Sequence, residues 1–135
     1  MIRQPRLLLA VAAGGAAGAL LRWWLTETWP DGSGFAWTTF AINLSGTFVL
    51  ACLPALAVVR RSRTLAAAAG PGLLGGYTTL SAYADQSRGL LADGRPMVAA
   101  AYVAGTLVAC LAAVALARHL VPPHPRSASD EMEHL

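Results

Sequence analysis

Lysine is absent from this sequence: all ten of its Lys+Arg residues are arginine. Charge is scarce as well, at 13% of 135 residues, against about 25% in an ordinary soluble domain. Cysteine is limited to Cys52 and Cys110, each inside a long apolar run. A disulfide framework needs more cysteines and a zinc site needs clustered ligands, so both read as small buried apolar residues. No carboxylate stands in the middle of any apolar run, and His119, His124 and His134 lie at or beyond the end of the last one. A proton-coupled carrier built on an intramembrane acid has no candidate residue here, and neither does an enzyme. The arginines form no stripe with interleaved aromatics, which argues against a nucleic-acid partner.

What fills the chain is apolar, 56% of it. So small a globule leaves much of its surface exposed and cannot hide that many apolar side chains, whereas a bilayer acts as their solvent. Four uncharged stretches stand out: Leu7 to Leu21, Phe35 to Val59, Leu65 to Ala84 and Pro96 to Ala117. A helix needs about 20 residues to cross the hydrocarbon core. The first run reaches that length if Arg22, Trp23 and Trp24 sit at the interface. The pattern predicts an all-α membrane protein with four transmembrane helices, spanning about 7–26, 36–59, 65–88 and 96–118 within a membrane domain 1–121. Residues 122–135, with Pro122, Pro123 and Pro125, read as a disordered polar tail.

The basic start at Arg3 and Arg6 and the small residues Ala17-Gly18-Ala19 also fit a secretory signal. The aromatic-arginine ending and the further spans favour a retained helix. Gly14 and Gly18 stand four apart, a spacing that lets helix backbones approach closely in lipid. Short connections make successive spans antiparallel. Arg3, Arg6, Arg60, Arg61, Arg63, Arg118 and Arg126 then share one side, against Arg22, Arg88 and Arg95 on the other. The positive-inside rule places both termini in the cytoplasm of a bacterial-type inner membrane.

Polar residues inside spans carry the chemistry, because burying one without a partner is costly. Thr39, Asn43 and Thr47 lie along one face of the second span, and Tyr102, Thr106 and Cys110 along one face of the fourth. The two stripes fit either a narrow polar path or interhelical hydrogen-bonding glue. The third span runs Gly70-Pro71-Gly72-Leu73-Leu74-Gly75-Gly76-Tyr77-Thr78-Thr79-Leu80-Ser81-Ala82-Tyr83, poor helix material at mid-membrane depth. A break there frees carbonyls for cations and presents a half-helix N-terminus to anions; a simple kink is the plainer reading. The letters also spell GxGxxG, but no strand precedes them and Pro71 is misplaced for a dinucleotide loop.

Three segments resemble the Fluc/CrcB family of fluoride channels: Gly14-Gly15 to Arg22-Trp23, Thr38 to Gly46 around Asn43-Leu44, and Gly72 to Tyr83, similar to a Gly-Gly-x-Thr-Thr-Phe-Ser-Thr-Phe signature. The similarity covers roughly residues 8–118. It implies an antiparallel, dual-topology dimer in the lipid bilayer, with two fluoride pores and one central structural sodium ion. By motif position the sodium falls to the backbone carbonyls of Gly75 and Thr78, and the pore to Asn43, Leu80, Ser81, Tyr83, Tyr102 and Thr106. Cys110 stands where a serine is usual, and Arg22 matches the arginine of the vestibule at the end of the first helix.

Three departures bear on function. The family's pore phenylalanines fall on Leu80, which lacks a positive ring edge, and on Tyr83, which keeps the ring and adds a hydroxyl. The family's Thr is Ala82. Together with the one-sided arginines, they suggest a fixed-orientation subunit that completes its pore with an oppositely oriented paralogue. The expected function is passive fluoride export, protecting the cell from fluoride. The rivals are a non-conducting or pore-completing partner subunit and a small four-helix multidrug exporter, which would need the missing intramembrane carboxylate.

Overall fold

A computed structural model describes residues 4–121; the expectation of a disordered tail at 122–135 lies outside the described residues. Among the described residues, three helices are long and apolar enough to cross a membrane: Pro5–Thr28, Trp37–Ala55 and Pro96–Leu120. The regular secondary structure of the described residues is all helical, with no strand. Helix α1 (Gln4–Thr28) and the last helix, α7 (Pro96–Leu120), have 25 residues each, or roughly 37 Å at 1.5 Å per residue. Large apolar side chains on them face outward: Leu8, Leu9, Leu107, Val108 and Leu111 are all more than half exposed. That inverts the pattern of a water-soluble fold and suits a lipid solvent.

Helix α2 (Trp37–Cys52) is shorter than the expected 36–59 span. Pro54 falls in a 3-10 turn at Leu53–Ala55, and Leu56 is extended before a short helix α3 (Ala57–Arg61). Pro54 has no N–H to continue the ladder, so the helix ends there despite an apolar sequence that runs on to Val59. The basic stretch expected as a loop is two helical turns, α3 and α4 (Arg63–Ala67), meeting at Ser62, whose hydroxyl accepts the Leu65 N–H at 3.2 Å.

The glycine-rich run is itself helical. From Ala68 to Leu74 it forms a π-helical segment containing Pro71. The wider turn accommodates a residue unable to donate to Ala67 O. The short helix α5 (Gly75–Tyr77) follows. The break comes after it, at Thr78 and Thr79, both extended. Helix α6 (Leu80–Ala92) then carries the chain on, past residue 88 where the expected third span ended. The turn to α7 is Asp93-Gly94-Arg95, with Gly94 at φ +69 in the left-handed region glycine enters freely.

The two halves of the broken helix pack on different partners. The first lies against α1 with no room for a side chain between them. A Cβ on Gly14 would overlap Ala68 O and stand 2.9 Å from Leu73 N; one on Gly18 would overlap Leu73 O and stand 2.8 Å from Tyr77 N. A Cβ on Gly76 would overlap Gly15 O. Gly72 thus lies against Gly14 and Gly76 against Gly15, while Gly18 meets the backbone of Leu73 and Tyr77, a two-sided form of small-residue packing. The second half, α6, packs on α7. An aromatic cluster closes that end: Tyr102, fully buried, lies 5.1 Å from Phe35 and 5.3 Å from Tyr83 between ring centroids.

Candidate functional site

Asn43 holds the break open. Its Oδ1 accepts the Thr79 N–H at 2.8 Å and its Nδ2 donates to Thr79 O at 3.0 Å. In a continuous helix the Thr79 N–H would serve Gly75 O. The next helix also starts on a side chain, since the Ala82 N–H goes to Thr79 Oγ1 at 3.1 Å and not to Thr78 O. The carbonyls of Gly75 and Thr78 thus lose their i+4 donors, one to Asn43 and one to Thr79. Between them, Gly76 O accepts from Arg22 Nε at 3.2 Å, so this arginine, inside the last two turns of α1, reaches the break itself. On α2, Gly46 gives the break space: a Cβ there would stand 3.1 Å from the Tyr77 ring.

A groove of about 270 Å³ opens at this point between α2, the break and α7. Asn43, Thr47, Thr78, Thr79, Leu80, Tyr83, Thr106, Leu107 and Cys110 line it. Two residues of each polar stripe seen in the sequence, Asn43 and Thr47 on α2 and Thr106 and Cys110 on α7, therefore face a common space. Of the expected pore residues, Asn43, Leu80, Tyr83 and Thr106 meet in the groove. Ser81 does not line it; that residue is exposed, 3.2 Å from Thr79 Oγ1. Tyr102 does not line it either, its hydroxyl donating to Gln86 Oε1 at 2.8 Å.

The donor inventory of the groove is uneven. One of the two Asn43 amide protons is spent on Thr79 O, leaving the other. The hydroxyl that Tyr83 adds is spent on Val103 O at 3.0 Å. Thr106 Oγ1 is buried and has no hydrogen-bond partner among the described residues. A buried hydroxyl in that condition costs free energy and calls for an explanation. Leu80, on the rim, is 77% exposed.

Two residues escaped the sequence reading. Asp31, in the α1–α2 connection, caps α2 from outside: Oδ1 accepts the Thr38 N–H at 2.7 Å and Oδ2 the Thr39 N–H at 3.1 Å. Position 36, where a capping side chain would stand, is alanine; a helix with two threonines in its first turn and no cap signals a need for a nearby acceptor. Gln86 bonds both Asp31 and Thr39. It sits at helical spacing from Thr79, Tyr83 and Leu90 on the inward face of α6, a periodicity hidden by its polar neighbours.

A sodium ion fits the donor chemistry of the break. Carbonyls relieved of their donors are hard, neutral oxygen ligands of the kind a hard cation takes, and among the described residues no three His, Cys, Asp or Glu groups gather as an alternative metal site.

A helical membrane protein with a polar groove at the break of one helix is the class these features define. The chain matches the CrcB-like protein family (Camphor Resistance, CrcB) over residues 9–118, and it belongs to that family. It is 43% identical over 116 residues to the fluoride-specific ion channel FluC 2 of Nocardia farcinica, covering 84% of this chain and 83% of that one. The fluoride-specific ion channel FluC 1 of Streptomyces coelicolor is 42% identical, over 84% of this chain and 76% of its own. The FluC of Chlorobaculum tepidum is 38% identical, over 78% and 86%.

Proposed function

We propose that the protein is a subunit of a fluoride-selective channel that lets fluoride leave the cell passively. Family membership and the named relatives support fluoride as the ion. The observation that carries the mechanism is the unpartnered hydroxyl of Thr106, buried in the wall of a groove that Asn43 also lines. Fluoride is small and holds its water tightly, so a pore must replace that shell with fixed donors. Thr106, Thr47, Asn43 and the Cys110 thiol supply them in line, and the Tyr83 ring adds a positive edge. The N-terminus of α6 points its dipole at the break and favours negative charge there.

The membrane arrangement follows from the same reading. The broken helix makes a fourth crossing, its half-helices end to end, and both termini lie in the cytoplasm. A second subunit in antiparallel orientation covers the exposed Leu80 and closes each groove into a pore. In such a dimer the carbonyls of Gly75 and Thr78 would hold a structural sodium ion, whose charge would offset their dipoles. Arg22 keeps the Gly76 carbonyl turned aside.

The one-sided arginines favour a second reading, in which the partner is an oppositely oriented paralogue. Trp23, Trp24, Trp29 and Trp37 flank the α1–α2 connection, all exposed, and anchor that end at one interface. Reconstitution in liposomes with a fluoride electrode, alone and with a paralogue, separates the two. Flux from the chain alone, with terminal tags on both faces, supports the homodimer. Flux only with the paralogue, with tags on one face, supports the pair.

A further inference from the structure

The arginines of the described residues divide by partner. Arg22 donates to Gly76 O, Arg95 to Ser33 O, and Arg88 pairs with Asp85. Arg60 is spent locally, on the carbonyls of Pro54 and Ala55 where the 3-10 turn ends. Arg6, Arg61, Arg63 and Arg118 are all exposed and make no hydrogen bond or ion pair among the described residues. These four share one end of the molecule. Arg6 lies in the first turn of α1, Arg61 closes α3, Arg63 opens α4 and Arg118 lies in the last turn of α7. Helix α4 packs against both α1 and α3. No carboxylate of the described residues balances that charge. Glu27 and Asp31 lie at the far end of α1 and just after it, and Asp85 and Asp93 lie beyond the break of the third span. Apolar side chains accompany the arginines: Leu56 and Val58, just before Arg61, and Leu65, just after Arg63, are exposed too.

We propose that this end of the protein binds anionic phospholipid headgroups, with Arg61 and Arg63, on either side of Ser62, at the centre of the surface. A guanidinium fork matches the oxygens of a phosphodiester and can bond it bidentately. Basic residues beside a membrane span attract anionic lipid in this way. Leu56, Val58 and Leu65 give the acyl chains a place to lie, which decides for a lipid over a soluble polyanion: the latter offers charge and nothing for these side chains. The bound lipid holds the bend between α3 and α4 at the membrane surface. It also ties the arginine end to the leaflet richer in anionic lipid, whichever ion the protein carries.

The test is native mass spectrometry of the full chain in detergent, titrated with phosphatidylglycerol, phosphatidylcholine or inorganic phosphate. Phosphatidylglycerol should bind at least roughly tenfold more tightly than phosphatidylcholine, whose headgroup has no net charge. R61Q/R63Q should weaken phosphatidylglycerol roughly ten- to thirtyfold, at about fivefold for each arginine, and leave phosphatidylcholine unchanged. R6Q/R118Q, a second pair on other elements, should weaken it in the same direction, and R88Q, past the break, should not. Equal binding of the two lipids, or wild-type affinity in both paired variants, overturns the proposal. Displacement of the lipid by an equal concentration of inorganic phosphate overturns it as well, because the ligand is then a free anion. Asp130, Glu131 and Glu133 supply a competing negative charge; phosphatidylglycerol binding seen only in D130N/E131Q/E133Q would make that tail the occupant and the lipid assignment wrong. The readout needs no conduction, so failure of the lipid reading and failure of the fluoride reading are separate results.

Discussion

Thr106→Val should make the protein more stable and a worse channel. Thr106 is 5% exposed, and its hydroxyl has no partner among the described residues. An unsatisfied buried hydroxyl costs about 1–3 kcal/mol. Valine has nearly the same shape, so no cavity opens to offset the gain. We expect T106V to gain about 1–2 kcal/mol, or roughly 3–8 °C in thermal midpoint. The same hydroxyl is a donor to fluoride in the mechanism above, and a hydrogen bond to a charged group contributes about 1.5–3 kcal/mol. Its loss should raise the half-saturating fluoride concentration roughly tenfold to a hundredfold. Both quantities are measurable on one preparation, by thermal unfolding in detergent and by fluoride-electrode flux from liposomes. A T106V protein that is less stable than wild type and conducts normally would refute the reasoning, because the hydroxyl would then have a structural partner and no ion to serve.

Three further outcomes follow from the geometry. G76A should cost about 1–3 kcal/mol, as overpacking does, because its methyl meets the Gly15 backbone, which has no side chain to move aside; thermal unfolding reads it. N43D keeps the acceptor for the Thr79 N–H but loses the amide protons and adds negative charge in the groove, so flux should fall at least roughly tenfold while the fold persists; flux and circular dichroism together check this. Replacing sodium by a large organic cation should lower the thermal midpoint of the dimer if the Gly75 and Thr78 carbonyls hold sodium, since a ligand bound only to the native state stabilises it; an unchanged midpoint would count against the site.

Much of this fold is legible in the sequence because the bilayer demands so much of it. Three of the apolar runs are helices of crossing length, and the broken one falls where glycine and threonine cluster. The site of the break was less legible. Glycine and proline mark helix breakers by propensity, yet close packing against α1 keeps Gly70 to Gly76 helical and a π-turn accommodates Pro71. The chain opens instead at Thr78 and Thr79, because Asn43 captures both backbone groups of Thr79 from 36 residues away, a pairing no local pattern displays. Thr39, Asn43 and Thr47 were visible as a stripe, and three of the pore candidates sit beside Asn43 in the groove. What each hydroxyl does was not visible, since Tyr83, Tyr102 and Thr106 differ only in whether a neighbour takes the proton. Asp31 and Gln86 stayed hidden because their partners lie on other elements.

The central claim is that this groove conducts fluoride. The most direct measurement is efflux from liposomes carrying the purified chain, alone and with an oppositely oriented paralogue, followed in parallel with fluoride and chloride electrodes. The account predicts rapid fluoride efflux in at least one of the two preparations, with chloride retained. Fluoride leaving no faster than chloride in both would contradict it.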